Sequence, residues 1–530
     1  LVQIFYYLNG VAAIFAFSQL NYRFQRLLEE NCQFFDFKSI NKFKFDLIFQ
    51  YYNTKQWKSL QISDDEYTPN HIEYFCQFYS LINDFPQLQS LSIENIDSRT
   101  TYTISSQLPF LTNLVSLKIK TICGEAMSQF HLPNLKRLVF TSCLNIDWIK
   151  NFSKLETIEY TTDGYHWHDK DLRWPLTLKH LKIIFDYDGH CDRIQDSLIH
   201  LSSLKSLEIY QKEKGTISPN GQVWENLIHS SLPLLKIFKF YFQFQYSSQI
   251  YKQIERIVSS FSTSFYVFEN KWFIRCDVPK SNQGRALLYS LPFPFQIYTT
   301  SQGSNFETIS TLLNDYDNDL CSNVFSNVKT LEVLCNSSEL DENFNRSEVI
   351  NLIIHNEFDS FKWIHILNKL QQLELGSDMT ISSKNFLCLL KNTPHLSSLI
   401  AENSVLQKAT EYWNNVSICN HLSRMILSLK LCGRKIRSPP ISKNEIEQIV
   451  QIFSSKCQHL SLYVHSPIDT IGFILQNMSQ LYSLHVTISA ETYPSINMTW
   501  LQKQQSRFNS SNCIIVNNER DHYFWLGKHQ

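Results

Sequence analysis

His166 and His168 flank Trp167 and stand beside Asp163, Asp169 and Asp171. Imidazoles and carboxylates are zinc ligands. Two histidines at this spacing share a face only in an extended segment, and no third ligand stands at a recognisable spacing, so the cluster reads as a polar loop. Asp315-Tyr316-Asp317-Asn318-Asp319 has the alternating oxygens of a calcium loop. It lacks the glycine at the sixth position and the closing glutamate that such a loop needs, and reads as an acidic turn. No G-x-S-x-G, H-E-x-x-H or phosphate loop occurs. The expectation is therefore a protein that is not an enzyme, with no catalytic residue, no metal and no cofactor.

Composition points the same way. The 530 residues carry 48 Lys+Arg against 49 Asp+Glu. That balance gives no electrostatic reason to expect nucleic acid or an anionic membrane as partner. Only 12 residues are glycine, far below the usual rate of about 7%, and nucleotide-binding and hydrolase cores depend on glycine for tight turns and close backbone approach. The 13 cysteines are scattered singly, with no C-x-x-C. They read as reduced thiols of a cytoplasmic or nuclear protein. No apolar run is long enough to span a bilayer. The chain opens on Leu1 rather than Met, which suggests that its true start is missing.

The elements come from a recurring phrase, apolar-[Pro/Ser]-x-Leu-x-x-Leu-x-apolar. It appears as Phe85-Pro86-Gln87-Leu88 with Leu91 and Ile93, as Leu132-Pro133-Asn134-Leu135 with Leu138 and Phe140, and as Leu201-Ser202-Ser203-Leu204 with Leu207 and Ile209. Later copies start at Phe325 and Met478. Counted from its first leucine, the phrase stands at Leu88, Leu114, Leu135, Leu155, Leu178, Leu204 and Leu235. It resumes at Val328, Val349, Leu370, Leu396 and Leu422 and continues loosely to Leu481. Constant inner spacing with variable outer spacing marks a repeat array, and the phrase resembles the leucine-rich repeat.

In each unit the second leucine and the next apolar residue would alternate in a short strand and point inward. The residue between them would face outward on a concave sheet. Those outward positions read Ser92, Lys118, Val139, Glu159, Lys182, Glu208 and Lys239. Alternating charge there either pairs across strands or selects a protein partner by complementarity. Lys118, Glu159, Lys182, Glu208 and Lys239 are the candidate partner-binding residues. Returning segments read as outer helices, with Ile72, Phe75, Tyr79 and Ile82 on one face and Ile446, Ile449, Val450 and Phe453 on another. Proline before the first leucine is expected to end the preceding segment. Between Tyr241 and about Thr311 the phrase stops. Segments 264–268, 271–276 and 286–295 are rich in aromatics and suggest a small antiparallel insertion.

Residues 1–28 read as a helical hairpin with more apolar surface than it can bury alone. Ile4-Phe5-Tyr6-Tyr7-Leu8 and Asn21-Tyr22-Arg23-Phe24 resemble the later parts of an F-box, whose Leu-Pro-x-Glu opening is absent here. The whole chain resembles the divergent F-box and leucine-rich-repeat proteins of invertebrates. The resemblance implies that Leu1, Ile4, Phe5 and Leu8 bind the adaptor subunit of a cullin-RING (SCF-type) ubiquitin ligase, and that the repeats hold a protein substrate. A leucine-rich-repeat scaffold unconnected with ubiquitination is the alternative.

The fold expected is α/β: a leucine-rich-repeat solenoid, its curved parallel sheet lined by outer helices, preceded by a small helical F-box-like segment. Its parts are that segment at 1–50, a first array at 51–245, a β-rich insertion at 246–311, a second array at 312–500 and a C-terminal cap at 501–530.

Overall fold

A computed structural model describes residues 8–65, 67–96, 98–119, 132–141, 146–162, 173–185, 191–215, 219–247, 251–279, 283–300, 306–312, 323–334, 344, 347–356, 363–377, 379–431, 439–489, 496–504, 513–518 and 521–526. The chain forms two compact units. One is Leu1–Gln245 with Glu255–Trp272, and the other is Tyr246–Ile254 with Phe273–Gln530. Both are mixed α/β, with parallel strands joined by helical or turn segments.

The first unit contains strands β1 (Phe34–Asp36), β2 (Ser59–Ser63), β3 (Ser90–Glu94), β4 (Ser116–Ile119), β5 (Arg137–Thr141), β6 (Thr157–Thr162), β7 (His180–Phe185), β8 (Ser206–Gly215) and β9 (Ile237–Ser247). Each pairs in parallel with the next. The register aligns Phe35, Leu60, Leu91, Leu117, Leu138, Ile158, Leu181, Leu207 and Phe238 in one buried column. Ile62, Ile93, Ile119, Phe140, Tyr160, Ile183, Ile209 and Phe240 form a second buried column. Strand centres expected at Leu91 through Phe238 are where strands occur.

Each repeat joins the next through the same backbone junction. One carbonyl accepts two successive N–H groups of the following unit. Lys58 O takes Gln89 N at 2.8 Å and Ser90 N at 2.9 Å, and Val115 O takes Lys136 N and Arg137 N at 2.8 and 3.0 Å. The earliest such carbonyl is Gln33 O, which takes Lys58 N and Ser59 N. The array therefore begins before residue 51, within the segment expected to be F-box-like.

The apolar-x-x-Leu half of the phrase is a turn. Leu88 N donates to Phe85 O at 3.1 Å, Leu135 N to Leu132 O at 3.2 Å and Leu204 N to Leu201 O at 2.9 Å. Pro86 and Pro133 thus hold the second turn position, where a fixed φ is an advantage. Helix Leu81–Asp84 ends just ahead of Phe85-Pro86, so proline there also closes the preceding segment, as expected. Side chains in the turns reach back one repeat. Asn113 Nδ2 donates to Pro86 O at 3.0 Å, Asn134 Nδ2 to Thr112 O at 2.9 Å and Thr177 Oγ1 to Leu155 O at 2.7 Å.

The face predicted at Ile72–Ile82 is split between two helices, His71–Phe78 and Leu81–Asp84, and Ile82 is exposed. Segment 264–268 is not a strand, because Phe265–Glu269 is a π-helical turn. Helix Gly221–Ser231 starts where a Cβ would meet Ser260 O at 2.3 Å, so only glycine fits. At the N-terminus, helices Gly10–Phe17 and Tyr22–Asn31 are capped by Asn9 and Asn21. Asn9 also bonds both backbone groups of Asp36 in β1, accepting from its N–H at 3.2 Å and donating to its carbonyl at 3.3 Å.

The second unit holds β10 (Ile274–Pro279), β11 (Gln283–Ser290), β12 (Ile297–Thr300), β13 (Phe306–Ser310), β14 (Thr330–Val333), β15 (Asn351–Ile354), β16 (Gln372–Leu375), β17 (Ser398–Ala401), β18 (Ser428–Leu431), β19 (His459–Val464), β20 (Ser483–Ile488), β21 (Cys513–Asn518) and β22 (Asp521–Leu526). β10 pairs antiparallel with β11 and with β13, as the insertion predicts. Here the buried Asp277 accepts from Tyr289 and Tyr298 hydroxyls at Oδ2 (2.7 and 2.9 Å) and from Arg275 Nε and Thr308 Oγ1 at Oδ1 (2.9 and 3.0 Å). β12 pairs in parallel with β14, and the ladder runs on in order to β20. It thus resumes at Ile297, inside the stretch 246–311. The unit ends in an antiparallel hairpin, β22 on β20 and β21 on β22. One expected repeat start is misplaced. Leu422 lies in helix Val416–Met425, and β18 begins at Ser428.

Candidate interaction surface

Alternation in the first unit leaves one outward position at the centre of each strand. In register these are Gln61, Ser92, Lys118, Val139, Glu159, Lys182, Glu208 and Lys239. All five candidate partner-binding residues stand in this column, each on its own strand.

Their charges meet one another. Lys182 Nζ lies 2.6 Å from Glu159 Oε1, and Lys239 Nζ lies 3.4 Å from Glu208 Oε1. Lys118 turns along its neighbour strand to Glu94 at 2.5 Å, which Lys38 also approaches at 3.3 Å. Burial alone would raise the Glu94 carboxyl, but hydrogen bonding and charge from Lys118, then Lys38, outweigh it and hold the group below the usual carboxylate range. These groups are half-exposed and face solvent as matched pairs. Such a surface offers hydrogen bonds and charge in both signs, which suits recognition of a mixed-charge protein surface.

Of the candidate adaptor residues, Leu1, Ile4 and Phe5 lie outside the described residues. Leu8 is half-buried immediately before Asn9. Asp163, His166, His168, Asp169 and Asp171 lie outside them as well, as do Asp315–Asp319. Among the described residues no group of three or more His, Cys, Asp or Glu could hold a metal ion.

The second unit carries a polar network that sequence reasoning missed. On the outward positions of β19, β20 and β22, Ser461 Oγ is 2.8 Å from His485 Nδ1, and His485 Nε2 is 3.0 Å from Asp521 Oδ1. Thr487 donates to the same carboxylate oxygen at 2.6 Å, and Tyr523 stacks on the imidazole with ring centres 4.2 Å apart. The His485 hydrogen bond and then Thr487 lower the Asp521 carboxyl, against the effect of its burial. Ser–His–Asp is the order of a nucleophile relay. Ser461 is only 4% exposed, however, and it sits in paired strand. The network links the closing hairpin to the parallel ladder. Lone Ser, His and Asp residues gave no signal; only the register brings them together.

No family model and no curated protein matches this chain. Among solved structures it is similar to an LRR protein of Leptospira interrogans, at 12% identity over 88% of this chain and 97% of that one, with a TM-score of 0.19. So low a score adds nothing to the repeat architecture, which rests on strand register. No helix among the described residues is long and apolar enough to cross a membrane.

Proposed function

We propose that this protein is a leucine-rich-repeat solenoid that acts as a non-enzymatic protein-interaction scaffold. The observation that carries the reading is the in-register parallel ladder, apolar on its inward columns and half-exposed with paired charges on its outward one. Such a sheet gives a rigid base on which side chains of successive repeats act together. The test is affinity purification with the wild-type chain and a Lys118→Glu, Lys182→Glu, Lys239→Glu variant, each checked for an unaltered far-UV spectrum. A partner retained by wild type and lost by the variant supports the reading. A partner set identical for both chains moves recognition off the outward column.

The finer reading, a substrate receptor of a cullin-RING ubiquitin ligase, is favoured by Leu20 and Tyr22. These residues, 58% and 76% exposed, sit where the two N-terminal helices meet. Apolar side chains at such a corner suit docking against an adaptor helix. Co-purification of the purified adaptor with wild type, and its loss from a Leu8→Asp, Leu20→Asp variant, supports this reading. If wild type retains no adaptor, the protein is a scaffold outside the ligase.

A further inference from the structure

The edge of the first unit where its strands begin carries charge of a different kind from the outward column. The residues just ahead of β5 to β9 are Lys136, Glu156, Lys179, Lys205 and Lys236, and β5 itself begins with Arg137. They follow one another strand by strand, because each donates its N–H to the carbonyl of its predecessor: Glu156 to Lys136, Lys179 to Glu156, Lys205 to Lys179 and Lys236 to Lys205. Glu156 is the one acid in the row and is already held by Lys179 at 2.9 Å. That hydrogen bond is the main cause of its lowered carboxyl pKa, with Lys136 adding to it by charge. Arg137, Lys205 and Lys236 are exposed, and none of them forms an ion pair among the described residues. In a chain of net charge −1, this row concentrates unbalanced positive charge.

Apolar side chains share the edge. Leu176 and Leu234 sit in the turns ahead of β7 and β9, and Ile237 opens β9, exposed by 68%, 50% and 42%. A phosphate backbone gains little from leucine and isoleucine, whereas an amphipathic helix has use for both kinds of residue. The spacing also suits a helix. Neighbouring strands lie about 4.8 Å apart, so the five positions span about 19 Å. An α-helix presents a carboxylate on one face about every 5.4 Å, or about 22 Å over the same number of steps. Flexible lysine stems absorb that difference. An extended peptide repeats a face about every 6.7 Å and drifts out of step.

We infer that this edge is a docking site for an acidic amphipathic helix of a partner protein, its Asp/Glu face on Lys136, Lys205 and Lys236 and its apolar border on Leu176 and Leu234. The inference rests on the interaction-scaffold reading and assigns a surface separate from the outward column.

The probe is a labelled, helix-stapled peptide with Glu along one face and Leu at its border, titrated against the full chain by fluorescence anisotropy. Controls are an unstapled peptide of the same composition with a proline at its centre and a single-stranded oligonucleotide of matched charge. The stapled peptide should bind tighter than both, and more weakly as salt rises. Lys136→Glu, Lys205→Glu, Lys236→Glu should weaken it at least about tenfold, and Leu176→Ser with Leu234→Ser should weaken it without changing its salt dependence. Each variant is first shown to melt as wild type does. Lys205→Ala with Lys236→Ala serves if charge reversal does not fold. Equal binding by the oligonucleotide, or no effect of the leucine changes, overturns the helix assignment. Unchanged affinity in the lysine variants overturns the site. Either result leaves the outward-column test standing, since that test changes none of these residues.

Discussion

Asn134 donates its side-chain amide to the carbonyl of Thr112, one repeat earlier, at 2.9 Å. Asn113 does the same to Pro86. In the second unit Asn327 bonds Phe293 O at 3.1 Å. In these three repeats the turn position directly before the phrase's first leucine or valine is therefore a staple between repeats rather than a free surface site. Replacing Asn134 by Ala should cost about 0.5–1 kcal/mol, because water takes over part of the exposed bond. Urea unfolding followed by circular dichroism would measure it, and a change smaller than experimental error would remove the staple from the account.

Leu138 is fully buried in the centre of its column. Leu138→Ala should destabilise the first unit by about 2–5 kcal/mol, combining lost transfer energy and a residual cavity. Hydrogen exchange should show the loss centred on β4 to β6, since stacking energy is local in repeat arrays. Uniform loss over both units would contradict that locality.

Asp277 is the acceptor for four donors in the antiparallel insertion. Asp277→Ala removes the carboxylate from beside the Arg275 guanidinium and takes this acceptor from two buried tyrosine hydroxyls. The expected loss is about 3–5 kcal/mol. Tyr289→Phe, which deletes one donor and strands no charge, should cost much less. Equal losses in the two variants would show that the charge is not what matters.

His71 is enclosed, its ring 4.4 Å from that of Phe45. Burial pushes its imidazole down to about 3. The unfolded chain takes up this proton near pH 6.5 while the folded chain does not. Stability from His71 is therefore complete above about pH 6.5 and is lost as pH falls from there towards 3, by about 1.4 kcal/mol per unit. Burial lowers His459 to about 4, and it acts in the same direction in the second unit. Urea midpoints at pH 7, 5.5 and 4.5 should fall steeply for wild type and less steeply for His71→Leu. Parallel slopes would assign the acid sensitivity to other groups.

The repeat was legible because leucine, at a fixed spacing, has no polar substitute in a buried column. It was illegible where another side chain filled the same space. Trp57 takes the first leucine's place ahead of Leu60, and Phe35 stands in the column with no leucine at all. Both repeats went unread. Leu422 misled for the opposite reason: a leucine at the right interval was serving a helix face, and Ile426 leads into the strand. The outward column was readable from alternation, but whether its charges were paired was not. Lys118 meets Glu94 rather than a residue of its own column. The His485 network depends on an antiparallel return that no local pattern announced.

The two hydrogen bonds from Asn9 to Asp36 have a consequence for the behaviour of many molecules together. β1 is the first strand of its ladder, and its outer backbone groups would otherwise be a template for another chain's strand. A side-chain amide copies the donor and acceptor of a peptide unit, so Asn9 occupies that template in place of a neighbour. Removing it would leave the backbone N–H and C=O of Asp36 without this side-chain partner. The residue that caps the first described helix thus also occupies the outward hydrogen-bonding groups of Asp36 at that edge.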